Sequence, residues 1–224
     1  MTATPREKVF AAIRSRMPKT DIAAREAAVA ARLAHPHANL IPARGQGDDH
    51  HRIAVFSKYM EDVGGTVEVL DDINDVPQAV AAYLRQHNLP AAIRHGADPT
   101  LSTLPWHRAA QLEVEEGRAR DSDKASLSMA FAGAAESGTV ILVSGADNPT
   151  TLNFLPEAHI VVLKIGDLHA SYEEAWTKLR AVYGPGNMPR TVNMISGPSR
   201  TADIEQTIVR PAHGPKDMHV IIIR

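Results

Sequence analysis

The amino-acid sequence predicts an α/β protein in which helices cover a mostly parallel sheet. Between residues 50 and 95, helical and strand patterns alternate, which is the order typical of parallel sheets. Residues 160–163 form a short, continuous apolar run that we expect to lie deep in that sheet. The chain has 224 residues, of which 44% are hydrophobic, and this is enough for one sizeable core.

The N-terminal segment is predicted to form two helices. Thr4 and Glu7 have the spacing of a capping box, which begins the first helix. An alanine-rich pattern predicts the second helix over residues 22–33. Because alanine buries little area, we expect residues 1–48 to be a helical extension and loop attached to a main domain at residues 49–224.

The first half of the main domain alternates helix and strand. Apolar residues at helical spacing predict a helix over 53–63, and a pair of glycines ends it. A strand over 66–70 follows, and then a helix opens with cap spacing at residues 75–78. A short strand over 91–94 completes this alternation.

The second half is predicted to contain mostly strands. An irregular stretch, rich in proline, glycine and charge, extends from residue 96 to residue 124. One helix is predicted over 172–183. The predicted strands cover residues 111–114, 127–131, 138–143, 160–163, 191–195 and 218–223.

Composition excludes several classes of function. A net charge of −2 gives no basic field for nucleic acid, and no apolar run approaches the roughly 20 residues of a membrane span. The N-terminus lacks the apolar core of a signal peptide, so we expect a cytoplasmic protein. The chain has no cysteine, which excludes thiol catalysis and a cysteine-held iron–sulfur cluster. Neither a Walker-type loop nor a dinucleotide-binding glycine motif is present.

Residues 196–205 form the most informative segment of the chain. They follow a predicted strand, turn at a Gly-Pro pair and lead into a predicted helix N-terminus, where unpaired N–H groups favour an anion. The alternative is a purely structural role, in which Ser199 or Thr201 caps the helix and Arg200 pairs with a nearby carboxylate. A position at the end of a parallel strand favours the ligand site. The predicted ligand-binding residues are Ser196, Gly197, Ser199, Arg200, Thr201 and Asp203.

Residues 136–139 form a polar turn between two predicted strands. Ser137 and Thr139 carry hydroxyls, and Gly138 would allow backbone N–H groups to approach a ligand closely. Glu136 is a candidate base. The alternative is a hairpin turn whose glutamate is solvated.

Histidines supply further candidates. His213 precedes the last strand and is a candidate base, although it would equally cap a backbone carbonyl. His159 lies beside an apolar strand, and we expect it to be structural. We expect no metal site, because four other histidines match no standard zinc spacing and belong to a surface loop; they are His35, His37, His50 and His51.

Four segments carry a resemblance to a known family, namely residues 135–139, 155–160, 196–205 and 213–215. In these motifs the chain resembles the lactate-utilisation protein C family (LutC/YkgG), whose members are built on the LUD domain. The resemblance covers roughly residues 50–224. It implies a fold similar to the NagB/RpiA/CoA-transferase superfamily, a three-layer α/β/α sandwich with residues 49–224 as the LUD domain.

The resemblance also implies a function. It suggests a role in L-lactate utilisation, the oxidation of L-lactate to pyruvate, together with iron–sulfur partner proteins. We expect no cofactor in this cysteine-free chain, and a small carboxylate or phosphate bound at residues 196–205.

Two alternatives stay open. One is a free-standing enzyme of the CoA-transferase or sugar-phosphate-isomerase type, with Glu136 or His213 as base and Arg200 as anion clamp. In the CoA-transferase branch a glutamate is the covalent nucleophile, a role that Glu136 would take. The other alternative is a structural or regulatory subunit with a vestigial pocket.

Overall fold

The computed structural model describes residues 4–17, 21–35, 37, 39–184, 186–200, 211 and 213–224. Its helices are α1 (Pro5–Arg16), α2 (Ile22–Ala34), α3 (Asp49–Asp62), α4 (Val76–Gln86), α5 (Pro99–Ser102), α6 (Thr150–Phe154) and α7 (Tyr172–Tyr183). Its strands are β1 (Thr66–Leu70), β2 (Ala92–His95), β3 (Glu113–Glu116), β4 (Ala125–Met129), β5 (Ala132–Ala134), β6 (Thr139–Val143), β7 (Ala158–Lys164), β8 (Leu168–His169), β9 (Val192–Ile195) and β10 (Asp217–Ile223).

The central sheet is buried between two layers. Within the described residues it contains six strands, all parallel, in the order β1-β10-β7-β4-β2-β3. Ile160 and Val161 of β7 point to opposite faces, and both are fully buried. Leu84 of α4 packs on one face and Phe56 of α3 on the other, and burying each large side chain contributes about 1.5–3 kcal/mol. The predicted α/β class with a mostly parallel sheet is confirmed.

A second, smaller sheet lies on the same face as α3. Its order in the described part of the chain is β8-β5-β6-β9, and β6 runs antiparallel to both of its neighbours. Val140 and Leu142 of β6 share a core with Phe56 and Val161. This mixed sheet, which the sequence did not predict, brings β6 and β9 against the central sheet.

The strand predicted over 127–131 is wrong as a single element. Its pattern continues across a change of sheet, because β4 and β5 are both largely buried. The amide of Ala130 still donates to Val162 of the central sheet, whereas the amide of Phe131 donates to Ile141 of the second sheet. The chain therefore leaves one sheet for the other between these two residues.

The predicted parallel direction of the strand before residue 196 is also wrong. β9 pairs antiparallel with β6, in the register Val140 with Ile195 and Val143 with Val192. A four-residue strand carries no sequence signal for its direction, which depends on the partner it finds. The argument that placed a ligand at the carboxyl end of a parallel strand therefore does not hold for β9.

The helices follow their sequence signals closely. The side chain of Thr4 accepts from the Glu7 amide, and the Glu7 carboxylate accepts from the Thr4 amide, so the predicted capping box begins α1. α7 has the predicted bounds, whereas the four- and five-residue helices α5 and α6 are too short to show a periodic pattern. Among the described helices, none has the length and apolar character needed to cross a bilayer.

The chain divides into two compact units, Met1–Asn39 and Leu40–Arg224. In the first unit, α1 and α2 have no buried residue among those described. In the second unit, Arg44 lies within the segment that the sequence assigned to the extension. Its Nε donates to the carbonyl oxygen of Glu136 at 2.7 Å, a contact that lies within the second unit.

Candidate functional site

The loop after β9 is held by the turn that precedes β10. The amide of Ser199 donates to the carbonyl of Pro215 at 2.8 Å, and the amide of His213 donates to Ser199 Oγ at 3.1 Å. Gly197 has φ +113°, and Val63 occupies the space where a Cβ would stand. Residues 196–199 and 213–215, which the sequence treated as separate motifs, therefore form one structure.

Four hydroxyls connect this loop to the polar turn before β6. Thr139 Oγ1 lies 2.6 Å from Ser196 Oγ, 2.6 Å from the Tyr172 hydroxyl and 2.8 Å from Ser137 Oγ. Ser137 Oγ also donates to the Tyr172 hydroxyl at 2.9 Å. Thr139 is fully buried, so its hydroxyl depends on these partners. We name Ser137, Thr139, Tyr172 and Ser196 the hydroxyl cluster.

A cavity of about 280 Å³ opens beside the loop. Its size suits a small organic ligand, since pockets for drug-sized ligands begin at roughly 300 Å³. It is bounded by the end of β9, the end of α6 and the starts of β7 and β10. The lining residues that matter below are Asn153, His159, Ser196, Gly197, Ser199 and His213.

The cavity lies at the amino ends of two central strands. His159 is the second residue of β7 and Met218 is the second residue of β10, and both line it. Open parallel sheets more often bind ligands beyond the carboxyl ends of their strands. Here the second sheet creates the site, because β9 delivers residues 196–199 to the amino-terminal edge.

Glu136 is not among the residues that line this cavity, and its side chain bonds at the start of α7. Its side chain is buried, and its Oε1 accepts from the amide of Tyr172, the first residue of that helix, at 2.8 Å. Its Oε2 has no hydrogen-bond partner among the described residues. A carboxylate in this position satisfies one unpaired amide and interacts favourably with the positive end of the helix dipole.

Gly138 packs against helix α3, whereas the sequence had suggested that its backbone approaches a ligand. It has φ +61°, and a Cβ there would stand 2.6 Å from the backbone nitrogen of Met60 in α3. The glycine therefore allows the polar turn to pack on α3.

The structure brings together only part of the predicted site. Ser196, Gly197, Ser199 and His213 line the cavity, and Ser137 and Thr139 connect to it through the hydroxyl cluster. Arg200 follows Ser199 and is exposed. Thr201 and Asp203 lie outside the described residues, as does the helix predicted to begin beside them.

A family model described as "LUD domain" matches residues 53–223. The chain belongs to the LUD domain family. The match includes both sheets of the second unit, the cavity and the hydroxyl cluster, so the family resemblance inferred from the four motifs is confirmed.

Several curated proteins resemble this LUD-domain chain. "Uncharacterized protein NMB1437" of Neisseria meningitidis is 30% identical over 142 residues, which are 60% of this chain and 59% of that protein. "Lactate utilization protein C" of Shouchella clausii is 37% identical over 89 residues, which are 40% of this chain and 39% of that protein. "Uncharacterized protein YkgG" of Escherichia coli is 36% identical over 105 residues, which are 45% of this chain and 46% of that protein. The matches thus span about two fifths to three fifths of these relatives.

A solved structure also has this fold. A DUF162 family protein from Deinococcus radiodurans aligns with a TM-score of 0.61 at 20% sequence identity, covering 80% of this chain and all of that one. At this identity the likeness shows the fold alone.

Two residues that the sequence did not assign to a ligand site also line the LUD-domain cavity. Asn153 was not considered, and His159 was expected to be structural; both line the cavity and both are almost completely buried. Burial lowers the pKa of His159 to about 3, so its ring is neutral at physiological pH. The sequence signal for Asn153 was a lone amide in the apolar stretch Leu152 to Leu155, just before the motif that contains His159.

The cavity combines two kinds of polar group. Its deep side presents neutral hydrogen-bonding groups, and its loop side presents Ser196, Ser199 and His213 with exposed Arg200 next along the chain. Such an arrangement can bind and orient a small polar ligand. Among the described residues, no three side chains of the metal-binding types gather into a site.

Proposed function

We propose that this protein acts in L-lactate utilisation, the oxidation of L-lactate to pyruvate together with iron–sulfur partner proteins. The observation that carries the proposal is the family match over residues 53–223 combined with relatives named lactate utilization protein C. In this proposal the chain acts in the cytoplasm.

Within that system the proposed task of the chain is to bind a small carboxylate. The sequence has no cysteine, so thiolate ligands for an iron–sulfur cluster would have to come from partner proteins. The cavity beside residues 196–199 is large enough for a three-carbon acid. Arg200 offers the planar guanidinium that suits a carboxylate.

The alternative of a free-standing CoA-transferase-type or isomerase-type enzyme receives no such support. Its proposed nucleophile, Glu136, has its carboxylate engaged by the Tyr172 amide at the start of α7. His213 does line the cavity, but a single histidine fits a binding role equally well.

A genetic experiment tests the proposed function. Deletion of the gene in its own organism should abolish growth on L-lactate while leaving growth on pyruvate unchanged, because only the step between them is lost. The wild-type gene should restore growth, and Arg200→Ala should restore it poorly although the variant folds. Normal growth of the deletion strain on L-lactate would refute the proposal.

A second experiment tests the partners. Affinity-tagged full-length protein, purified anaerobically from cells grown on L-lactate, should bring down proteins whose absorbance shows iron–sulfur clusters. The same preparation from cells grown on pyruvate serves as the control.

A further inference from the structure

The deep side of the cavity contains two unpaired polar atoms. Among the residues that the structure describes, Asn153 Nδ2 and His159 Nδ1 have no hydrogen-bond partner, and the two residues are 0% and 1% exposed. An unsatisfied buried polar group costs about 1–3 kcal/mol. In folded proteins a ligand or an ordered water satisfies such groups, and both residues line the same cavity.

Ser128 connects these two residues from behind. Its Oγ lies 3.1 Å from His159 Nε2 and makes a long contact of 3.5 Å to Asn153 Oδ1. These contacts engage Nε2 of the ring and the amide oxygen, so Nδ1 and Nδ2 are the atoms without a hydrogen bond in the described part of the chain. We name Asn153, His159 and Ser128 the cavity floor.

The hydrogen-bonding character of the cavity floor selects among ligands. The Asn153 amide nitrogen only donates, whereas Nδ1 of a neutral imidazole donates in one tautomer and accepts in the other. A hydroxyl both donates and accepts, so it pairs with His159 Nδ1 in either tautomer. Carboxylate oxygens only accept, and the neutral floor gives a phosphate dianion no compensating charge.

We infer that the cavity floor recognises the 2-hydroxyl of a small 2-hydroxy carboxylate, through Asn153 Nδ2 and His159 Nδ1. The carboxylate of the same ligand lies on the loop side, toward Arg200. This inference rests on the proposed function, since it names the ligand class of that site. It makes Asn153 and His159 specificity-determining residues.

Calorimetric titration of the full-length protein tests the inference. L-Lactate and propionate have the same carboxylate and a similar size, but propionate lacks the hydroxyl. We expect L-lactate to bind at least about tenfold more tightly, the factor that one well-made hydrogen bond of 1.4 kcal/mol supplies. Equal affinities, tighter binding of inorganic phosphate, or no binding of L-lactate would each overturn the inference.

A pair of asparagine variants separates recognition from structure. Asn153→Leu should remove the preference for L-lactate over propionate and leave the melting temperature of the ligand-free protein unchanged or higher, because it removes an unpaired donor. Asn148→Leu is the matched control. Asn148 is also buried, and its Oδ1 has no partner in the described ranges, but its Nδ2 donates to the Val143 carbonyl at 3.3 Å and it does not line this cavity.

Asn148→Leu should lower the melting temperature and keep the preference for L-lactate. Loss of the preference in both variants, or in neither, would overturn the inference. If Asn153→Leu does not fold, the comparison of L-lactate with propionate on the wild-type protein decides the question.

The genetic and calorimetric results can fail separately. A deletion strain that cannot use L-lactate, together with a protein that binds propionate as well as L-lactate, would remove the inference and keep the proposed function. A preference for L-lactate in a protein whose deletion has no growth defect would support the inference and remove the proposed function.

Discussion

At the scale of single residues, Glu136 shows how a buried carboxylate stabilises a helix start. Its Oε1 accepts from the first amide of α7, and its own carbonyl oxygen accepts from Arg44. The sequence predicted the turn that contains Glu136, but the direction of its side chain depends on Tyr172, which is 36 residues away along the chain. A residue type and a turn are visible in sequence, whereas a long-range partner is not.

Replacing Glu136 distinguishes this structural role from covalent catalysis. Glu136→Gln keeps an oxygen for the Tyr172 amide but removes the charge, so the free energy of unfolding should fall by about 0.5–1.5 kcal/mol. Growth on L-lactate should be retained. Urea unfolding provides the measurement, with the exposed Glu61→Gln as a control expected to change stability by less than about 0.5 kcal/mol. Full stability with complete loss of function would instead indicate a nucleophile.

Gly138 gives a second test at this scale. Gly138→Ala should lower the free energy of unfolding by roughly 2–4 kcal/mol, because the turn has positive φ and the new methyl would meet the α3 backbone. Gly166→Ala is the control, since nothing lies within 4 Å of its Cβ position. Thermal unfolding of both variants measures the difference, and equal melting temperatures would contradict the described packing.

At the scale of elements, the sequence did not predict the direction of the strands or which strands share a sheet. Patterns located nearly every strand, but they did not show that residues 127–131 divide between two sheets or that β9 runs antiparallel to β6. The apolar pattern looks the same in either case, because β4, β5 and β6 are buried on both faces. The helix α6, which carries Asn153, has five residues and gives no periodic signal.

The hydroxyl cluster is the link between β6 and the loop after β9. Thr139→Val preserves the shape of a fully buried side chain but leaves Ser196 and Tyr172 without their shared partner. We expect a loss of about 1–3 kcal/mol in the free energy of unfolding, because the buried hydroxyl partner is removed. We also expect weaker binding of L-lactate, because the loop loses the hydrogen bond between Ser196 and Thr139.

Thr177→Val is the matched control for that substitution. Thr177 is exposed on α7, and its hydroxyl donates within that helix, to the carbonyl of Glu173 at 2.8 Å. Guanidinium unfolding and lactate titration should show little change there. If Thr139→Val changes neither the affinity for L-lactate nor the stability, the hydroxyl cluster does not hold the loop after β9 in place.

At the scale of the whole molecule, buried histidines in the central sheet make stability depend on pH. Burial lowers the pKa of His159 to about 3. It lowers the pKa of His219 to about 4, even though the Glu68 carboxylate lies 3.5 Å away. An unfolded histidine titrates near 6.5, so below that pH the unfolded chain binds more protons than the folded one.

Stability should therefore be highest above pH 6.5 and fall as the pH is lowered toward 4. Each buried histidine contributes a slope of up to about 1.4 kcal/mol per pH unit in this window. His159→Gln should reduce the slope by that amount, whereas the exposed His107→Gln should leave it unchanged. Chemical unfolding at pH 7, 6 and 5 measures the slopes, and identical slopes for wild type and His159→Gln would show that His159 is protonated in the fold.

The overall architecture was predictable for two reasons. The α-β alternation extends over many residues, and the four motifs occur in order along the chain. The position of the cavity was not predictable. It depends on β9 crossing to the amino-terminal edge of the central sheet, and on residues 153 and 159 meeting residues 196–199 there. Such a meeting of distant segments follows from the arrangement of both sheets and has no local signature.

The central claim is that this cavity binds a 2-hydroxy carboxylate. A crystal structure of the full-length protein grown with L-lactate tests it most directly. We predict electron density for one lactate in the cavity, with its hydroxyl within hydrogen-bond distance of Asn153 Nδ2 and His159 Nδ1 and its carboxylate toward residues 196–200. Lactate bound elsewhere, or a cavity that contains only water at saturating lactate, would contradict the account.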